Sequence, residues 1–316
     1  MLKLDLNQEK LSPENMEELG KMRKKAAQSI IEMTTLAGCG HPGGSLSTLD
    51  FLLIVYASIR HRPNEPNWAE RDRVFISHGH ISPGVYSVLG LNGYFPLDEG
   101  IIQFRKAGTP FGGHVEIFVP GVEWNTGNLG QGLSAAAGSA LAGMLQGELF
   151  KVVCCMGDGE QQKGQVSEAR RFAVKNRLSN LIGFVDWNGL QIGGKITEIM
   201  PQNLVEEWRA SGWNVLVVED GHNYQELYQA FRKAYKKETE SPEMPTVILA
   251  KTVMGKGISW MENQHKWHGQ APSIELARKA FQELGVEDRL DELLEKRKAL
   301  KLEIHPHKDY TKRDFP

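Results

Sequence analysis

Apolar positions along the chain fall alternately at helical spacing and in short continuous runs. Met16, Leu19, Met22, Ala26, Ile30 and Met33 recur at helical spacing, which predicts an amphipathic helix over 13–37. That helix stops at GCGHPGG, because glycine and proline end helices. A second helix runs through LSTLDFLLIVYASI. RVFIS (73–77) reads as a short buried strand, followed by the glycine-rich HGHISPG and another helix. GNLGQGLSAAAGSALAGML is a loop leading into a helix of small residues, a surface that lets another backbone approach closely. FKVVCCMGD is then a strand, VSEARRFAVKN a helix and LIGFVD a strand. Two further strands, WNVLVVED and TVILAK, flank the helix NYQELYQAFRKAYKK, whose apolar face is Tyr224, Leu227, Tyr228, Phe231 and Ala234.

Apolar strands alternating with amphipathic helices predict an α/β fold: a mostly parallel sheet with helices on both faces. No composition break divides the chain, so residues 1–316 read as one domain, with about 296–316 as a helix end and charged tail.

Two strand ends carry polar residues. Asp158 closes one strand inside GDG, and Asn188 closes the next inside WNG, thirty residues later. Read singly, the first is a turn and the second a bend. As a pair they differ, since ligands of parallel sheets bind at the carboxyl ends of strands. If the two strands are neighbours, a carboxylate and an amide oxygen converge on one crevice, and both are the hard donors that Mg²⁺ or Ca²⁺ prefers. Gly157 and Gly159 allow close backbone approach, and the amides after Gly159 can face phosphate oxygens at a helix start.

Composition narrows the function. A formal charge of −2 lacks the clustered basic excess of a nucleic-acid binder. No apolar run approaches the length of a membrane span, and the start MLKLDLNQEK lacks the core of a signal peptide. Three cysteines, Cys39, Cys154 and Cys155, without framework spacing fit a reducing compartment and buried thiols. The expected setting is the cytoplasm.

At this point the chain resembles the transketolase family, and in particular its N-terminal half. The resemblance spans nearly the whole chain, in order: GCGHPGG, RDRVFISHGH, GGH at 112–114, TGNLGQG, the GDG…Asn pair, DGH at 220–222, KTVMGKG and HG at 268–269. It implies a thiamine diphosphate-binding fold of the diphosphate type, with thiamine diphosphate and Mg²⁺ as cofactors, Ca²⁺ or Mn²⁺ substituting for the latter. Asp158, Asn188 and the Leu190 carbonyl would hold the metal. His80, His268 and the amides of Gly159 and Glu160 would contact the diphosphate, and Gly127 and Leu129 the aminopyrimidine. His41, His114 and His268 would serve the sugar donor, with His80 shared between sugar and diphosphate.

Each of these histidines, taken alone, is equally a loop residue bonded to backbone. HGH as a zinc site lacks a cysteine or carboxylate to complete a ligand pattern. His61, His78, His305 and His307 read as surface residues, and His265 is left open by its place three residues before His268.

The resemblance also implies a glutamate from a second, pyrimidine-binding domain, for which few residues follow WHGQAPSIELARKAFQELG. The chain is therefore expected to be one subunit of a split transketolase in an α₂β₂ assembly with a C-terminal transketolase subunit. It would move two-carbon ketol units from a ketose (phosphate) donor to an aldose acceptor, with the sugar left open between a pentose phosphate, as in pentose phosphate metabolism, a sulfosugar and a branched-sugar phosphate. Two positions depart from the family. Lys163 stands where a glutamate is frequent, which calls any carboxylate relay there into question, while Glu168 keeps its matching place; Gly193 stands where IDG is usual. The GDG…Asn pair is shared with 1-deoxyxylulose-5-phosphate synthase and with oxo-acid dehydrogenase E1 components, which match the four histidines less well. A non-catalytic nucleotide-binding subunit would rest on GNLGQG, which is not the ordered G-x-G-x-x-G after a strand.

Overall fold

The computed structural model describes residues 2–148 and 150–300. The first helix, α1 (Pro13–Ala37), starts where the Ser12 hydroxyl accepts from the Asn15 amide at 3.2 Å and Pro13 occupies the first turn. It ends on Gly38 at φ 66°, the left-handed cap that glycine adopts without a Cβ penalty. Next, α2 (Pro42–Ser58) begins inside the HPGG motif, four residues before the expected start. Pro42 sets its first turn, and Gly43 is required there: a Cβ would stand 2.8 Å from both Met254 Cγ and the Trp267 carbonyl. Residues 42–57 are all buried, so α2 is a central helix rather than a surface one.

The chain continues through β1 (Arg73–Ile76), α3 (Ser82–Leu91), α4 (Leu97–Gln103), α5 (Gly132–Gln146), β2 (Val152–Gly157), α6 (Gly164–Lys175) and β3 (Leu181–Trp187). A small antiparallel flap, β4 (Leu190–Gln191) and β5 (Gly194–Lys195), then precedes α7 (Ile196–Ile199) and α8 (Leu204–Ala210). The remaining elements are β6 (Asn214–Val218), α9 (Tyr224–Lys236), β7 (Thr246–Lys251), α10 (Ile274–Leu284) and α11 (Leu290–Ala299). Residues 301–316, with His305 and His307, lie outside the described residues.

Among the described residues, β1, β2, β3, β7 and β6 pair in that order, all parallel. Alternate strand residues face opposite sides. Val153, Cys155, Ile182, Phe184 and Ile248 pack against α1, α2, α9 and α10. Val152, Cys154, Met156, Val185 and Leu249 pack against α5, α6 and α8. The anchors are Phe51 stacked on Phe184 with centroids 3.5 Å apart, and Trp208 edge-on to Trp213 at 4.8 Å. Burying one such ring stabilises by about 1.5–3 kcal/mol.

Three residues are placed differently from expectation. Cys39 is exposed, whereas Cys154 and Cys155 are buried as β2 residues. His61 is buried because its ring stacks on Tyr94, whose hydroxyl lies 3.0 Å from His61 Nδ1. His78 is buried because HGH enters the interior between β2 and α2, where Nδ1 donates to the Cys155 carbonyl at 3.0 Å. No helix among the described residues is long and apolar enough to cross a membrane.

Candidate functional site

The strands ending in Asp158 and Asn188 are direct neighbours: Gly157 pairs with Asp186, and the Asp158 amide donates to the Asp186 carbonyl at 3.1 Å. Both residues line a cavity of about 270 Å³ at the carboxyl end of the sheet, with His80, Leu129, Leu190 and His268. Gly159 and Glu160 also contribute to its wall, whereas Gly127 is exposed beyond it. A Cβ on Gly157 would meet nothing closer than His78 at 3.9 Å, so chain packing does not demand glycine there.

Asp158 is 2% exposed and has no cationic partner among the described residues. Its oxygens accept from the Gly189 amide at 2.6 Å and the Gly159 amide at 2.8 Å. Burial, reinforced by the neighbouring Asp186 carboxylate, pushes its pKa well above the usual carboxylate range. Asn188 Oδ1 accepts from the Leu190 amide at 2.9 Å, while its Nδ2 donates to Asp186 at 3.1 Å. The expected helix start after GDG is instead a 3₁₀ turn, Gly159–Gln162, and α6 begins only at Gly164. In this conformation the Gly159 amide is engaged by the carboxylate of Asp158 rather than pointing freely into the crevice.

The four motif histidines meet beside this cavity. The His41 ring centroid lies 5.0 Å from His80, 5.7 Å from His268 and 6.3 Å from His114, and His80 lies 5.0 Å from His268. His80 and His268 line the cavity wall; His41 and His114 extend the site beyond it. Each is positioned by its loop. His41 is held at the start of α2, and His114 follows a turn whose carbonyls accept from Ser82 and Tyr86. His41 Nδ1 and His268 Nδ1 are buried without a hydrogen-bond partner among the described residues, as side chains awaiting a polar ligand would be. Burial and mutual proximity lower His41 to about 4 and His80 well below its usual value, so the cluster is neutral at pH 7.

Side chains to which motif reading gave no role build the frame. The buried Glu160 carboxylate accepts from Ser77 and from the amides of Gly157 at 3.1 Å and Gly130 at 3.0 Å, tying HGH, GDG and TGNLGQG together. Burial raises it to about 7. The DGH motif acts through His222, whose Nδ1 donates to Asp50 at 2.7 Å while Nε2 accepts from the Val253 amide at 2.8 Å. That contact seats KTVMGKG, whose Met254 reaches the cavity. Asp186 was legible in principle, as a charge inside the buried run LIGFVD.

The buried imidazoles predict acid sensitivity. His78, like His41, drops from about 6.5 to about 4 because burial penalises the imidazolium. The native state thus binds fewer protons than the unfolded chain between these values, so stability is full above pH 6.5 and lost as pH falls toward 4. Glu160, raised from 4.5 to about 7, works oppositely, as do Asp158 and Glu32, all three favouring the fold at acid pH, but they oppose six lowered histidines, His41, His61, His78, His80, His114 and His268. For the enclosed His78 the effect is roughly 3 kcal/mol. Thermal unfolding of the cofactor-free chain is expected to show a falling Tm from pH 7 to 4.5; a flat or rising Tm would contradict the neutral cluster.

Residues 23–295 match the family described as the thiamine diphosphate binding domain of transketolase. The 6-deoxy-6-sulfo-D-fructose transketolase subunit SqwG of Clostridium sp. (strain MSTE9) is 39% identical over 250 residues, covering 78% of this chain and 89% of that protein. An apulose-4-phosphate transketolase subunit from Phocaeicola vulgatus is 34% identical over 280 residues, covering 88% of this chain and 97% of that protein. Campylobacter jejuni transketolase superposes with a TM-score of 0.79 at 30% identity, covering 92% of this chain and 48% of that one. The chain therefore spans about half the length of the solved transketolases it matches.

Proposed function

From the premise that this chain belongs to the transketolase thiamine diphosphate-binding family, we propose that it is the cofactor-holding subunit of a two-chain transketolase. It transfers a two-carbon ketol unit from a ketose phosphate, or a related anionic ketose, to an aldose acceptor. The observation that carries this reading is the juxtaposition of the Asp158/Asn188 strand ends with four neutral imidazoles in one crevice.

The residues fit the cofactor and its metal. Asp158 is a buried carboxylate without a cation beside it, next to a second carboxylate, so a divalent ion would relieve its desolvation. Asp158, Asn188 and the Leu190 carbonyl would hold Mg²⁺, or Ca²⁺ or Mn²⁺ in its place. His80, His268 and the amides of Gly159 and Glu160 would bind the diphosphate, and the backbone of Gly127 and Leu129 the aminopyrimidine. When bound, thiamine diphosphate supplies the electron sink that lets a ketose carbon–carbon bond break. Neutral His41, His114 and His268 accept and return protons on the sugar hydroxyls and donate to its oxygens.

Two relatives matched over nearly their whole length are named as transketolase subunits, which supports a partner chain. That partner is a C-terminal transketolase subunit carrying the pyrimidine-binding domain and its glutamate, in an α₂β₂ assembly in the cytoplasm. Lys163, exposed at the cavity rim, would face it with positive charge.

His41→Ala and His114→Ala test the division of labour among the histidines. In the assembled enzyme each is expected to keep cofactor affinity and lose turnover by ~10²–10⁴-fold, the range of acid–base groups. Steady-state kinetics paired with cofactor titration reads both, and full activity in either variant would show a loop histidine with no part in the chemistry.

A further inference from the structure

We infer that Asp186 is a positioning residue that fixes the amide of Asn188 with its oxygen toward the metal site. The inference rests on the proposed function, because it concerns the metal that Asp158 and Asn188 would hold.

An asparagine amide can present either its oxygen or its nitrogen, and only its partners decide which. Asp186 Oδ2 is an acceptor already engaged by hydroxyl donors, so at 3.1 Å from Asn188 Nδ2 it selects the nitrogen. The oxygen is then turned to the opposite edge, where it lies 2.9 Å from the Leu190 amide, beside the other expected ligand. Were the amide reversed, its oxygen would face the carboxylate and its NH₂ would face the cation.

Asp186 is itself immobilised. It is 1% exposed, and its Oδ2 lies 2.5 Å from the Ser47 hydroxyl and 2.9 Å from that of Thr48, both on α2. Its Oδ1 accepts from Thr252, just beyond β7. With four donors on two oxygens, the carboxylate has little capacity left to ligate a metal directly, which separates its role from that of Asp158. The same donors join the Asn188 amide to α2, which follows His41, and to the KTVMGKG loop. Partners of this kind, one bond removed from a ligand, are worth about 10–100-fold in metal affinity.

The test is Asp186→Asn in the assembled enzyme, with Mg²⁺ titrated calorimetrically at saturating thiamine diphosphate. The Mg²⁺ dissociation constant is expected to rise about 10–100-fold, with turnover at saturating Mg²⁺ falling far less. Ser47→Ala and Thr252→Val, which each remove one donor from the carboxylate, are expected to raise it about 2–10-fold. These two decide the matter if Asp186→Asn does not fold. Unchanged Mg²⁺ affinity in the folded variants, including a case in which only their melting temperatures fall, would overturn the inference. Wild-type enzyme that binds thiamine diphosphate without any divalent ion would overturn the cofactor reading, and this inference with it.

Discussion

Asp158→Ala is expected to abolish metal-dependent retention of thiamine diphosphate while leaving the fold nearly as stable as before. The first half follows from the donor set. Among the described residues no group of three His, Cys, Asp or Glu side chains is placed to hold a metal. An ion here would rely on one carboxylate, one amide and a carbonyl, together with oxygens of the bound diphosphate. Removing the one charged ligand that the protein supplies to that set should cost more than the ~10–100-fold lost with an outer partner. The second half follows from two opposing effects. The variant strands the amides of Gly159 and Gly189, at about 1–3 kcal/mol if they stay dry. It also removes a desolvated carboxylate lying beside Asp186, whose ionised form the folded state disfavours. Affinity and stability should therefore separate. Calorimetry with Mg²⁺ or Ca²⁺ on the assembled complex, paired with thermal unfolding, measures both; metal-independent binding by the variant would refute the assignment.

Much of this site was legible because its chemistry sits at strand ends and in glycine-marked loops. The alternation of apolar runs with amphipathic helices pointed to the parallel sheet, and the thirty-residue interval between Asp158 and Asn188 matched one crossover between neighbouring strands. What stayed hidden depends on pairing through space. HGH reads as a loop, so nothing local distinguishes His80 in the cavity wall from His78 beneath it, bonded to a β2 carbonyl. His61 owes its burial to Tyr94, thirty-three residues away. The flap at Leu190–Lys195 is too short to leave a periodic trace. Glu160 presents its backbone to the motif, but its side chain bonds to residues as distant in sequence as Ser77. Glycines divide in the same way. Gly79 is demanded by the chain, since a Cβ there would collide with Thr126 of TGNLGQG, whereas Gly157 has open space toward the cavity.

The second large effect concerns assembly. Apolar side chains stand exposed around the site and on the helices beside it: Phe118 at 66%, Ile192 at 73%, Leu145 at 79% and Phe172 at 42%. Of these, Phe172 on α6 lines a groove shared with α5 together with Ala137, Gly138 and Ala169, small residues that allow another backbone to approach closely. An apolar groove of this kind is a surface that a partner can cover. A covering subunit would also exclude water from the four imidazoles and bring the carboxylate that pairs with the pyrimidine ring. Without it, the crevice should bind cofactor weakly and perform no transfer, because the glutamate proposed for the partner is missing.

The most direct test is an assay of the purified chain with thiamine diphosphate, Mg²⁺, a ketose phosphate donor and an aldose acceptor, run with and without the C-terminal subunit while light scattering follows the mass. The predicted result is no ketol transfer by the chain alone, and activity that appears together with a species of α₂β₂ mass. Robust turnover by the chain without any partner would contradict it.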